Sequence, residues 1–231
     1  MTTIVITGAN RGLGLALAQH YLAHGATVIG GCRKPAAARE LSEAGAEVHE
    51  LDTGSGASIT AFAMAVGDRP VDLLYNNAGI DAQAVGAEEA ARGALELTEA
   101  QFRSVMDVNV LGPMLMVQAL AANLCAAGGK IVNVTSQVGS IEVAKRIGRD
   151  AAYTTSKAAL NMLTLKQSQV LRPQGVSVIA LHPGWVRSDM GGPGADLEPS
   201  EAAASIADVI DAVTIDHTGS FLKWDGSIHP W

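Results

Sequence analysis

Thr2-Thr3-Ile4-Val5-Ile6-Thr7-Gly8-Ala9-Asn10-Arg11-Gly12-Leu13-Gly14-Leu15-Ala16-Leu17-Ala18 follows the initial methionine, and its period changes in the middle. Residues 2–7 form a short β-branched run that reads as a strand, and Gly8 ends it. Residues 13–23 continue with helical spacing. Between the two stand glycines spaced Gly-x-x-x-Gly-x-Gly. Glycine permits a tight turn and a close approach of the backbone to a ligand. A helix that begins there offers unpaired N–H groups and the positive end of its dipole, which suits a pyrophosphate. The spacing departs from the Gly-x-Gly-x-x-Gly dinucleotide fingerprint. What gives these glycines weight is their place between a first strand and a first helix.

Outward from this turn the two periods keep alternating. Strands are predicted at 26–31, 47–51, 71–75, 130–135, 176–181 and 220–223. Helical stretches are predicted at 36–44 with Pro35 in its first turn, at 97–127 with a break near Gly112-Pro113, at 151–171 stopped by Pro173, and at 200–212 capped by Ser200. Strands alternating with helices make a parallel sheet with right-handed crossovers. The expected fold is therefore α/β: one doubly wound, Rossmann-type domain over 1–231, with seven parallel strands and helices on both faces. Residues 184–199 are the loosest segment, with four Gly and two Pro.

Composition excludes several classes. With 48% hydrophobic and 17% charged residues, the chain is too apolar to be disordered. The net charge is −7 and no Lys/Arg block occurs, which argues against nucleic acid. Cys32 and Cys125 make neither a disulfide framework nor a zinc site, and read as small buried hydrophobes in a reducing compartment. The scattered histidines predict no metal. The N-terminus lacks the basic region of a signal peptide. The longest uncharged run, 108–129, carries Asn109, Pro113, Gln118 and Asn123, so it reads as a helix buried in protein rather than in lipid. A soluble, cytoplasmic protein is expected.

Tyr153 and Lys157 stand four apart in a helical stretch and share a face. A phenol near pKa 10 is a poor proton donor and acceptor at neutral pH, and a neighbouring ammonium would lower that value. Alone, Tyr-x-x-x-Lys more often marks a solvated helix face. Ser136 closes the strand at 130–135, at the carboxyl edge of the sheet where ligands bind in open α/β folds. In such folds an acid about 20 residues beyond the glycines meets the ribose 2′-OH of NAD. Residues 26–38 contain none, and Arg33-Lys34 would suit a 2′-phosphate instead.

Together these motifs resemble the short-chain dehydrogenase/reductase superfamily over essentially the whole chain. They are Thr7-Gly8-x-x-x-Gly12-x-Gly14, Asn76-Asn77-Ala78-Gly79, Asn109, Ser136, Tyr153-x-x-x-Lys157 and Pro183-Gly184, in that order. Gly31-Cys32-Arg33 and the run from His182 to Gly192 resemble the branch of C-factor-like proteins and Sniffer-type carbonyl reductases. The resemblance implies an NADPH-dependent reductase of aldehydes or ketones, reversible as an alcohol dehydrogenase, with NADP(H) preferred over NAD(H). It implies Tyr153 as proton donor, Ser136 on the substrate carbonyl, Lys157 lowering the Tyr153 pKa and binding ribose, and Asn109 holding a relay water. For the cofactor it implies Gly8, Asn10, Arg11, Gly12, Leu13 and Gly14 at the turn and Arg33 at the 2′-phosphate. Asp52 and Thr53 would flank the adenine, and Asn76, Ala78, Gly79, Tyr153, Lys157, Pro183, Gly184, Val186 and Ser188 would complete the site. A dinucleotide-binding signalling protein with little turnover is the alternative; a double-bond reductase is disfavoured by the three-residue gap between Tyr153 and Lys157.

Further expectations follow. The partner is a small carbonyl or alcohol, with no nucleic acid and no membrane. A homodimer or homotetramer is expected because residues 114–126 are apolar nearly all round. Ser136 and Tyr153 are seventeen residues apart, longer than is usual in the superfamily, which predicts a loop at the mouth of the site carrying Lys145, Arg146 and Arg149. His182, Trp224 and Trp231 read as packing residues, and 184–199 as a lid.

Overall fold

The computed structural model describes residues 2–146 and 150–231. Its strands are β1 (Thr3–Thr7), β2 (Thr27–Cys32), β3 (Glu47–Glu50), β4 (Leu73–Asn76), β5 (Lys130–Val134), β6 (Ser177–His182) and β7 (Phe221–Lys223). They form one sheet in the order β3-β2-β1-β4-β5-β6-β7, with every neighbouring pair parallel. The order reverses between β1 and β4, where Ile4 lies opposite Leu73 and Ile6 opposite Tyr75. A crevice therefore opens at the carboxyl ends of these two strands.

The helices are α1 (Gly12–Ala23), α2 (Arg39–Glu43), α3 (Gly56–Val66), α4 (Glu99–Met106), α5 (Gly112–Ala119), α6 (Ala121–Ala127), α7 (Ile141–Ala144), α8 (Ala151–Leu171) and α9 (Pro199–Asp211). Both faces of the sheet are apolar, as a sheet covered on both sides requires. Ile4, Ile6, Tyr75, Val132 and Leu181 pack with Leu17 of α1 and Ile206 of α9 on one face. Val5, Ile29, Leu74, Ile131 and Val178 pack with Phe62 of α3 and Met116 of α5 on the other.

The predicted strands all form. Four helical expectations are corrected. Helix α3 was not foreseen, although Ser55 caps it by accepting the Ser58 N–H and Ile59, Phe62 and Val66 form its buried stripe. The stretch 36–44 divides into a 3₁₀ turn (Pro35–Ala37) and α2. The helix at 97–127 does not break at Gly112-Pro113. A π turn (Asp107–Leu111) leads into them, with the Gly112 N–H reaching the Asp107 carbonyl. Pro113 has no N–H to give back, and the wider turn accommodates this. A Cβ on Gly112 would lie 2.6 Å from the Thr53 carbonyl oxygen, so glycine is there for close packing. The bend comes at Leu120, where the following helix departs by 61°. Finally, Glu198, not Ser200, caps α9, in a reciprocal box with Glu201.

The outer face of 114–126 also differs from expectation. Met116, Val117, Leu120 and Leu124 are buried, and the exposed positions carry Gln118, Ala119, Ala122 and Ala126. Among the described residues no single helix is long and apolar enough to cross a membrane.

Candidate active site

The crevice at the β1/β4 switch point widens into a cleft of about 1080 Å³. Its floor is the turn after β1. Gly8 and Gly12 adopt φ of +66° and +53°, which favour glycine. A Cβ on Gly14 would stand 2.3 Å from the Gly8 carbonyl oxygen and 2.6 Å from Asn77 Nδ2. The turn thus folds onto itself, and the start of α1 faces the cleft. Thr7 and Asn77 sew this turn to the end of β4. Thr7 Oγ1 accepts the N–H groups of Asn77 (3.0 Å) and Ala78 (2.9 Å), and Asn77 Nδ2 donates to the carbonyls of Thr7 and Gly8. These two residues occur in the sequence motifs, but their part in joining the two strand ends was not foreseen.

Of the expected cofactor residues, Gly8, Asn10, Arg11, Gly12, Leu13, Gly14, Arg33, Asp52, Thr53, Ala78, Gly79, Pro183, Gly184, Val186 and Ser188 all line the cleft. Asn76 does not. It is buried and donates to Asn133 Oδ1 at 2.8 Å, because alternation along β4 turns it to the opposite side from Asn77. Exposed Arg33 sits beside Cys32, whose thiol burial pushes up. Arg11 already pairs with Asp189 of the segment 184–199. That segment arches back through hydrogen bonds between Trp185 and Leu197 and between Trp185 Nε1 and the Gly191 carbonyl.

At the other end of the cleft stand Ser136, Tyr153 and Lys157. Ser136 is extended backbone, and its Oγ accepts the Val138 N–H. Lys157 is buried at 3% exposure; its Nζ donates to the Val134 carbonyl at 2.8 Å and lies 5.6 Å from the centre of the Tyr153 ring. Burial lowers its pKa from 10.5 to about 8. A Cβ on Gly79 would be 3.4 Å from Lys157 Nζ and 3.3 Å from Asn109 Oδ1, so glycine leaves room for both. Asn109 stands just behind the cleft wall. Its Nδ2 donates to the Ile80 carbonyl and to Ser156 Oγ, and its Oδ1 accepts the Ile80 N–H. A backbone turn suited to a pyrophosphate, the cation of Arg33 and a Ser/Tyr/Lys end line one continuous groove that fits a dinucleotide.

Residues 2–196 match the family model of the short chain dehydrogenases. This chain belongs to the short-chain dehydrogenase family. The C-signal of Myxococcus xanthus is 38% identical over 174 residues, covering 74% of this chain and 99% of that protein. The NADPH-bound carbonyl reductase from chicken fatty liver superposes with a TM-score of 0.89 at 33% identity, covering 100% of this chain and 99% of that one. The carbonyl reductase Sniffer of D. melanogaster gives 0.90 at 29% identity over 100% of both chains. The protein is an oxidoreductase of this family.

The remaining wall of this dehydrogenase's cleft was not legible beforehand. Ile80, Gln137, Val138, Trp185 and Met190 also line it. His182 also faces the cleft; burial, helped by His229 and Lys223, lowers its pKa to about 4, so it is neutral at pH 7. Lys145 and Arg146 both pair with Glu142 on the surface, while Arg149 lies outside the described residues.

Proposed function

We propose that this enzyme reduces the carbonyl of a small aldehyde or ketone to the alcohol with NADPH, reversibly, and that Tyr153 supplies the proton. The observation that carries the reading is the buried Lys157 ammonium beside the Tyr153 ring, in the same cleft as Ser136. The start of α1, with Arg33 at the adenosine end, would hold NADPH, and Asp52 and Thr53 would flank the adenine. When bound, the reduced nicotinamide supplies the hydride that adds to the carbonyl carbon. Ser136 orients the carbonyl oxygen. Tyr153 gives its hydroxyl proton to that oxygen as the C–O π bond opens, leaving alcohol product and phenolate. Lys157 stabilises the phenolate, which takes a proton back through Lys157 and a water that Asn109 would hold.

A panel of aldehydes and ketones, followed by loss of NADPH absorbance, tests this. Tyr153→Phe keeps the ring and removes the hydroxyl. It should cost about 10²–10⁴-fold in kcat and leave NADPH binding nearly intact. A loss below about tenfold would overturn the assignment of Tyr153 as proton donor.

The similarity to the C-signal favours a second reading, a signalling protein that binds the dinucleotide with little turnover. Turnover of no carbonyl across the panel, with NADPH still bound, would favour it. The presence of Ser136, Tyr153, Lys157 and Asn109 together supports the enzyme, because a binder has no need of a proton donor.

A further inference from the structure

We propose that Asp150 is a positioning residue for Tyr153, tying the first turn of α8 to the loop that forms the facing wall of the cleft. This rests on the reading of Tyr153 as the proton donor. Asp150 immediately precedes α8 and is nine-tenths buried. One carboxylate oxygen, Oδ1, accepts the Tyr153 N–H at 2.8 Å. The other, Oδ2, accepts the N–H of Ala82, sixty-eight residues earlier in the chain. The Ala151 N–H donates to the Arg92 carbonyl of the same stretch at 3.0 Å, a second tie in the same direction.

The loop is held at its other end as well. Asn109 bonds both the N–H and the carbonyl of Ile80, and its Nδ2 also donates to Ser156 Oγ at 2.9 Å. Ser156 Oγ in turn donates to the Tyr153 carbonyl at 2.7 Å. The contacts close into a ring: Ala82, Asp150, Tyr153, Ser156, Asn109, Ile80. Tyr153 is thus gripped by its own amide and its own carbonyl, and both grips end on the short loop whose Ile80 lines the cleft. Such a ring fixes the depth and rotation of the helix that carries the phenol. Proton transfer needs the donor within hydrogen-bond reach, and a misplacement of about 1 Å costs on the order of 10²-fold.

The ring also explains why a carboxylate stands here. Two N–H donors from separate segments need two acceptor oxygens, and the charge is compensated by both N–H groups and by the helix N-terminus. Asparagine is as good a cap as aspartate, but it has one oxygen, and its amide nitrogen would face the Ala82 N–H donor to donor. Asp150→Asn therefore keeps the cap and cuts the tie. Ala82→Pro cuts the same tie from the other side by removing the donor. Ala82 opens a 3₁₀ turn, the position where proline is tolerated.

The test measures kcat, the NADPH dissociation constant, the thermal midpoint, and amide exchange at 80–86 in both variants of the full chain. Asp150→Asn should lower kcat by about ten- to a hundredfold. NADPH affinity should change less than about twofold and the midpoint little, because the cap remains. Exchange at 80–86 should quicken. Unchanged kcat in Asp150→Asn, or a kcat loss matched by an equal loss of NADPH affinity, overturns the proposal. If Asp150→Asn does not fold, Ala82→Pro must show the same split or the proposal falls. If the unmodified protein reduces no carbonyl, the proton-donor reading fails by itself. The tie is then judged on exchange: a quickening at 80–86 supports it and unchanged exchange overturns it.

Discussion

Lys157 carries its ammonium where burial penalises charge, and the mechanism proposed above then sets a pH limit on the reaction. Its pKa is lowered from 10.5 to about 8, so the charge is present below that value and lost above it. In the proposed mechanism, reduction needs Lys157 charged beside Tyr153. The rate kcat with NADPH should therefore be flat toward neutral pH and fall about tenfold per unit once pH exceeds 8. A profile flat to pH 10 would contradict the role given to Lys157. The same shift has a stability sign. Between about 8 and 10.5 the unfolded chain binds more protons than the folded one, so stability rises with pH across that window and the burial penalty is fully present below it. Cofactor choice belongs to this scale too. Among the described residues Arg33 forms no ion pair, whereas Arg11 is engaged with Asp189, so one charge-assisted hydrogen bond to a 2′-phosphate is expected. At about 1.5–3 kcal/mol that is roughly a ten- to 150-fold preference for NADPH over NADH. Arg33→Ala should remove most of it by raising the KM for NADPH while leaving NADH unchanged. Cys32→Asp should reverse it, by accepting from the ribose 2′-OH and repelling phosphate. Equal specificity constants for the two cofactors in the unmodified enzyme would reject this reading and leave the fold untouched.

At the scale of elements, what was legible in the sequence is where two local signals coincide. The turn between β1 and α1 shows in the sequence because the period changes at the glycines. Helix α8 shows because a 3.6-residue pattern runs unbroken to Pro173, and its observed bounds are those predicted. Where one signal stood alone, it misled. Gly112-Pro113 looked like a break, yet Gly112 serves a contact with Thr53 that no local pattern reveals. Ser200 looked like a cap, but Pro199 already occupies the first helical position, which leaves Glu198 as the cap. Asn76 and Asn77 are adjacent in one motif, and only the pleat of β4 decides which faces the cleft. The ring through Asp150 joins residues up to seventy-six positions apart and has no local signature. Segment 184–199 was expected to be a lid. It follows β6 and meets the phosphate turn through Asp189 and Arg11, and a Cβ on Gly12 would lie 3.4 Å from Ser188 Cβ. A segment so placed can close over a bound dinucleotide and seal the site from water. Its amide exchange should slow when NADPH is added; unchanged exchange would count against a lid.

Over the whole molecule, we expect a second copy of the chain to cover part of the exposed apolar surface. The apolar run at 114–126 does not supply that surface, because its outward positions are small or polar. Exposed large hydrophobics lie elsewhere, among them Phe102 on α4, Leu111 at the end of the π turn, and Met162 and Val170 on α8. Helix α4 packs beside α8, so these side chains belong to neighbouring elements on one side of the sheet. Large apolar side chains exposed on adjoining helices are what an interaction surface offers. A two-fold axis would bring the same patch of both copies together, which is the simplest closed assembly. Burying side chains of this kind contributes about 1.5–3 kcal/mol each, so loss of one should be felt. We therefore expect a homodimer at micromolar concentration by light scattering. Met162→Asp should shift it to monomer, because a carboxylate at the seam loses its water and finds its own copy opposite. The assembly should resist added salt, since charge contributes little to such a seam. A monomeric unmodified protein would contradict this, and a dimer unaffected by Met162→Asp would place the interface elsewhere.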